Sequence, residues 1–326
     1  MRTIISLRAL AVLAGAAVIL GAAHLPAQAQ TKITVGKILG GVGLHIPSYV
    51  AMDRGFFKDE GLDARFVSLV GRPMITAGLS GNLDFVPIPS GGAQAVLSGA
   101  KLRYVVGQSL KPQWIIVTGA NVNTPQDLKG KTLGYARAGA ADYDEGAAVL
   151  QRAFKMEVGK DYKVISFQGE TDRIAALING DIAGALLSIP HAAKAATAGM
   201  KILIRTGDYI PRAGGTIWAR QEFIEQNPEA TKKFIRATAK AVMFFRSNKD
   251  GSVQTLKKYL SINSDDEAVH VWEQLRDTFG AELPPNLFAQ IIESRVETMK
   301  AARQWPEGRP MPDPGPSWCG KCSIRP

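Results

Sequence analysis

Along the chain, short β-branched and aliphatic runs alternate with helical stretches rich in small residues. Ile33 to Val35, Ala64 to Leu69, Leu83 to Val86, Leu102 to Val106 and Trp114 to Thr118 predict strands. Between them, stretches near Pro47 to Arg54, from about Pro73, and ending at Leu97 predict helices. The scheme then restarts. Thr132 to Tyr135, Lys163 to Ser166, Ile182 to Leu187 and Lys201 to Ile204 predict strands, with helices over Ala140 to Phe154, Thr171 to Ile178 and from Pro190. Strands alternating with helices of this length imply a parallel α/β sheet.

The restart is a weak internal repeat. Leu79-Ser80-Gly81-Asn82-Leu83 answers Ile178-Asn179-Gly180-Asp181-Ile182, and Ser98-Gly99-Ala100-Lys101-Leu102 answers Ala198-Gly199-Met200-Lys201-Ile202. Each half holds a helix, a glycine turn, a short strand, a helix and another strand, which reads as two similar α/β lobes. Beyond Thr216-Ile217-Trp218 the spacing turns helical over Phe223 to Phe245, Ser252 to Leu260, Asp265 to Thr278 and Pro285 to Arg303. Asn227-Pro228-Glu229 and Ser264-Asp265-Asp266-Glu267 have the form of helix starts, with acids in the first turn. These helices are expected to pack back on the first lobe. The expected division is residues 30–118 with 216–305 for lobe 1, 119–215 for lobe 2, and 306–326 as a proline-rich tail. The chain would pivot at crossovers near Thr118 to Asn123 and Thr206 to Gly215.

Residues 1–29 read as a removable targeting segment. Arg2 and Arg8 precede an apolar and small-residue run from Ala9 to Ala23, and Ala27-Gln28-Ala29 fits a small-x-small cleavage site. The run is short for a membrane span, which needs roughly 20 residues, and a retained anchor is the alternative reading. The 326 residues carry 39 Lys+Arg against 29 Asp+Glu, a formal charge of +10. The basic residues are scattered, with no aromatic-interleaved stripe, so a nucleic-acid partner is not expected. Both cysteines, Cys319 and Cys322, lie in the tail after Pro306, Pro310, Pro312, Pro314 and Pro316. Thioredoxin-type chemistry needs such a pair to open a helix after a strand, and two ligands do not close a zinc site. A local disulfide in an oxidising compartment is the expected state.

Catalytic signatures are missing. There is no G-x-S-x-G and no H-E-x-x-H, Pro125 replaces the first glycine of a P-loop ending Gly130-Lys131-Thr132, and Ile46 replaces the third glycine after Gly41 and Gly43. His45, His191 and His270 have no metal-binding spacing. Neither a cofactor nor a metal is expected. A binding site is better supported, because ligands of open α/β sheets sit beyond the carboxyl ends of the strands, at free helix N-termini. Five loops are predicted there. They hold Gly36 to His45, Gly71-Arg72-Pro73, Ser90-Gly91-Gly92, Arg137-Ala138-Gly139-Ala140-Ala141-Asp142, and Ser188 to His191. Gly91 is expected to let the backbone approach the solute, so that a side chain there would obstruct it.

At this point the chain resembles a known family. Ile33-Thr34-Val35-Gly36, Gly55-Phe56-Phe57-Lys58-Asp59-Glu60-Gly61-Leu62, Asp127-Leu128-Lys129-Gly130-Lys131-Thr132 and Ala176-Leu177-Ile178-Asn179-Gly180-Asp181 are similar to the nitrate/sulfonate/taurine-type solute-binding proteins of ABC importers, a family that includes thiamine-pyrimidine binders. The resemblance implies a type II periplasmic binding protein fold, two α/β lobes with a ligand cleft between them. It also implies a monomer in the periplasm that passes a small solute to ABC permease subunits in the inner membrane and catalyses nothing. Where members carry Ser or Thr at the start of the second-lobe helix, this chain has Ala140 and Ala141. Arg137 just before them either supplies charge or is a surface arginine, and the solute is either a small anion or a larger, partly aromatic acid. Two other readings stand beside this one. A pyrimidine-synthesising enzyme of the same fold would use a Cys- and His-rich signature, yet cysteine is absent from 30 to 318. A ligand-sensing domain for a membrane receptor would share every feature above.

Overall fold

The computed structural model describes residues 30–37, 45–69, 71–210, 214–283, 287–301 and 305–310. Residues 1–29, read above as a targeting segment, most of the loop before His45, and both cysteines therefore lie outside the described residues. The first passage runs β1 (Thr31–Lys37), α1 (Ile46–Asp53), α2 (Phe56–Asp59), β2 (Leu62–Ser68), α3 (Arg72–Leu79), α4 (Pro89–Leu97) and β3 (Leu102–Ser109). Strands β1 and β2 pair in parallel, from Thr31 opposite Leu62 to Lys37 opposite Ser68. The strand predicted at Leu83 to Val86 is reduced to two bridges, Phe85 to Val35 and Val86 to Trp218. Pro87 and Pro89 follow at once and have no N–H for a ladder, which stops the pairing there.

The second passage is β4 (Trp114–Thr118), β5 (Thr132–Tyr135), α5 (Ala141–Phe154), β6 (Lys163–Ser166), α6 (Glu170–Asn179), β7 (Gly184–Ser188), α7 (Ile189–Thr197) and β8 (Lys201–Arg205). These strands form one sheet in the order β6-β5-β7-β4-β8. The chain returns through β9 (Gly215–Arg220) and ends in α8 (Gln221–Gln226), α9 (Pro228–Ser247), α10 (Lys249–Leu260), α11 (Asp265–Leu275) and α12 (Leu287–Ala301).

Two expectations change. Strands β1 and β2 pair in parallel as expected, but the five-stranded sheet is mixed, with β5 parallel to β6 and β7 and β4 antiparallel to β7 and β8, and β9 pairs antiparallel with β3. The reversals fall on the strands that carry the chain between sheets. The first crossover also comes earlier than expected. Thr118 is already in the second sheet, opposite Gly184 and Lys201, so the passage is Leu110 to Gln113. It runs beside the second crossover so closely that a Cβ on Gly207 would lie 2.7 Å from the Pro112 carbonyl oxygen.

The internal repeat holds at the level of turns. Gly81 and Gly180, then Gly99 and Gly199, all take positive φ (87°, 81°, 95° and 86°), where only glycine sits without strain. The first lobe's core closes around Phe234 of α9, whose ring stacks on Phe85 at 3.7 Å and on Phe57 at 5.4 Å between centroids. Leu133, Tyr135, Val149, Leu150 and Leu186 form the core between β5, β7 and α5. Helix α12 packs Ile291, Ile292 and Val296 against Met74, Leu83, Val86 and Trp218 of the first lobe. Among the described residues no helix is long and apolar enough to cross a membrane.

Candidate functional site

Because β1, β2 and the Phe85–Val86 segment run the same way, their carboxyl ends at Lys37, Ser68 and Val86 lie at one edge of the first sheet. The loops after Tyr135, Ser166 and Ser188 leave from one edge of the second for the same reason. Gly71, which caps α3, has φ 61° and ψ −129°. A Cβ at Gly71 would sit 3.5 Å from Nη2 of Arg137. The two carboxyl edges therefore meet, with an arginine of one lobe lying against a glycine of the other.

On the first lobe, His45 caps α1 and is 3% exposed. Burial pulls its imidazole down to about 4 from the ordinary 6.5, so it is neutral at physiological pH. Arg72, in the first turn of α3, is exposed. The start of α4 is held by two side chains: Tyr104 donates to the Pro89 carbonyl at 2.6 Å and Trp218 Nε1 to the Ile88 carbonyl at 3.0 Å. Ser90, in the first turn of α4, is half-buried. Gly91 and Gly92 turn inward. A Cβ on Gly91 would lie 2.4 Å from Ile75 Cδ1, and one on Gly92 2.7 Å from Trp218 Cδ1. Their smallness lets α4 approach α3 and β9, which is a packing reason for glycine rather than the obstruction of a solute expected at Gly91. Replacing Gly91 with valine should accordingly lower stability by about 1–3 kcal/mol, since Ile75 must leave its rotamer. Adding Ile75→Val should recover part of the loss in a thermal melt. An unchanged melting temperature with solute binding abolished would restore the obstruction idea.

On the second lobe, Arg137 is exposed, and its guanidinium has no hydrogen bond or ion pair among the described residues. Gly139 has φ 82°, and the Ala140 N–H is spent on the Arg137 carbonyl at 3.0 Å. The N–H of Ala141, the first residue of α5, points out of the helix start. Asp142 organises this turn. Its carboxylate accepts from Arg173 Nη1 at 2.8 Å, from the Ala136 N–H at 3.2 Å and from the Tyr143 N–H at 2.9 Å. Ser188 and His191 answer to a different acid. Glu170 Oε2 accepts from the Ser188 N–H at 2.6 Å and hydroxyl at 2.9 Å, and lies 3.3 Å from His191 Nδ1. The start of α7 is thus satisfied from within, and its hydroxyl and N–H are not free to hold an anion.

The structure brings Gly71, Arg137 and Gly139 to the meeting edges, gives Gly91 and Gly92 packing neighbours and Ser188 internal partners, and leaves Ser90 half-buried. Sequence reasoning placed Asp142 in the predicted loop without a role and missed the other acids that shape the second edge, Asp144, Glu145 and Glu170, although Tyr143-Asp144-Glu145 directly follows that loop. Buried Glu145 accepts from Thr206 at 2.6 Å, tying α5 to the second crossover. Arg295 was also missed, and no local signal marks it. Its Nη1 donates to Asp144 at 2.7 Å and its Nε to Gln94 at 3.1 Å.

A family model described as NMT1/THI5 like matches residues 43–251. The chain belongs to the NMT1/THI5-like family. A relative in Brucella abortus (strain 2308), named only as a binding protein, is 27% identical over 235 residues, covering 71% of this chain and 72% of its own. The fold is similar to that of the periplasmic aliphatic sulphonate binding protein of Escherichia coli, with TM-score 0.72, 18% identity and coverage of 85% of this chain and 94% of that one. It is also similar to the periplasmic nitrate-binding protein of Synechocystis PCC 6803, with TM-score 0.67, 14% identity and coverage of 86% and 83%. The family member described here thus has the two-lobe α/β fold of the periplasmic binding proteins.

Proposed function

We propose that the protein captures a small anionic or partly aromatic organic solute between its lobes and delivers it to the permease of an ABC importer. It works in the periplasm, exported by residues 1–29, and carries out no reaction. The observation that carries this reading is the approach of Arg137 to Gly71 across the two carboxyl edges, which leaves an unpaired guanidinium beside a helix start. Helix N-termini and arginine forks both favour anions. The structural neighbours named for sulphonate and nitrate binding are in keeping with such a solute. With Ala140 and Ala141 in place of hydroxyl residues, Arg137 is the principal charged contact offered by this turn.

A thermal-shift screen over sulphonates, nitrate, aliphatic and aromatic carboxylates and pyrimidines tests the reading. A ligand at 100 times its dissociation constant adds about 2.7 kcal/mol of stability. For an anionic hit, calorimetry should show Arg137→Ala binding at least tenfold more weakly, about 1.4 kcal/mol. Arg137→Lys should recover little, because an ammonium does not reproduce the bidentate fork. Equal affinities in all three proteins would remove Arg137 from the site.

A further inference from the structure

Helix α12 is attached to the two lobes by different chemistry. Toward the first lobe its contact is apolar: Ile292 and Val296 are each 1% exposed among Met74, Leu83, Val86 and Trp218. Beyond the helix, Trp305 packs on the same cluster and Arg309 donates to the Leu97 carbonyl at 2.8 Å. Toward the second lobe the contact is ionic. Arg295 pairs with Asp144 and Glu297 with Arg152, both partners on α5. The Arg295 guanidinium also lies against Gly139, where a Cβ would be 3.5 Å away, and it reaches back to Gln94 of α4. One side chain therefore spans both lobes beside the turn that carries Arg137.

We propose that α12 is an interlobe latch, fixed to the first lobe and clipped to α5 of the second through Arg295–Asp144. Arg295 is a positioning residue: it draws Asp144 and the Gly139 turn toward the first lobe, which sets the balance between closed and open lobes. The division of chemistry suits that task. Apolar contacts of this extent persist while the domain is folded, whereas an ion pair whose two charges both regain water when the lobes part recovers the hydration it gave up on pairing, so it can open and re-form. The Arg295 and Asp144 side chains are only 12% and 10% exposed, so salt screens the pair weakly; the Arg152–Glu297 pair is open to solvent and adds less. The latch rests on the capture reading for its purpose, but not for its measurement.

The test uses the full chain without solute. Small-angle scattering gives the radius of gyration, and amide hydrogen exchange follows residues 137 to 144. Arg295→Met should enlarge the radius and speed exchange at these amides by tenfold or more. The charge-swapped pair Arg295→Asp with Asp144→Arg should reverse both changes, which loss of packing alone would not do. An unchanged radius and unchanged exchange in folded Arg295→Met would overturn the latch, as would a swap that restores nothing. If circular dichroism shows Arg295→Met unfolded, Arg295→Lys takes its place. It keeps the charge but loses the fork that serves Gln94 and Asp144 together, so it should open the lobes partially, and wild-type values would overturn the proposal. A protein that opens as expected yet binds none of the screened solutes would count against capture while keeping the latch. One that binds solute but does not open would do the reverse.

Discussion

Replacing Arg173 with methionine is expected to cost about 3–5 kcal/mol of stability, the range seen when one partner of a buried ion pair is removed. Arg173 and Asp142 have side chains 4% exposed, so neither charge is shared with bulk water. With Arg173 gone, Asp142 loses its counter-ion and the Leu186 carbonyl its donor, since Arg173 Nη1 serves both. The Ala136 and Tyr143 N–H groups remain as partners, but they do not neutralise a buried carboxylate. The melting temperature should fall by roughly 10 °C for a chain of this size. The double variant Arg173→Met with Asp142→Leu should regain much of the loss, because no unpaired charge is left behind. A single variant melting within a degree of the wild type would show that Asp142 is not a buried charge in the folded protein. Functionally, the same pair sets the turn before α5, so Arg173→Met should also weaken solute binding without Arg173 touching the solute.

The second large effect is a loss of stability in acid that depends on His45. In the folded protein its imidazole is held at about 4 by burial, against 6.5 when unfolded. Below pH 6.5 the unfolded chain takes up a proton that the folded chain does not accept until about pH 4. Stability therefore rises with pH across this window and falls as the pH is lowered through it. The full difference is about 3 kcal/mol. His45→Asn removes the titration while keeping a residue suited to the first position before a helix. Denaturant melts from pH 7.5 to 4 should show the variant losing less stability than the wild type, by roughly that amount. Parallel curves for the two proteins would mean that His45 reaches water in the fold.

Local information determined a large part of this protein. The strands at Trp114–Thr118, Thr132–Tyr135 and Lys163–Ser166 coincide with their predicted ranges because each is a β-rich run closed by turn residues. The glycine turns of the repeat were legible because positive φ selects glycine irrespective of what packs around it. The resemblance to binding proteins rested likewise on contiguous strings such as Gly55 to Leu62. Strand direction and lobe membership were not legible. Nothing within Trp114–Thr118 distinguishes a last strand of one sheet from a central antiparallel strand of another, because pairing depends on partners distant in sequence. The site divided in the same way. Loop position predicted Gly71, Arg137 and Gly139, but the use of Gly91 and Gly92 was decided by Ile75 and Trp218. The internal satisfaction of Ser188 was decided by Glu170, 18 residues away. Arg295 meets Asp144 across 151 residues, a distance over which sequence spacing carries no geometric information and only tertiary packing brings the two charges together.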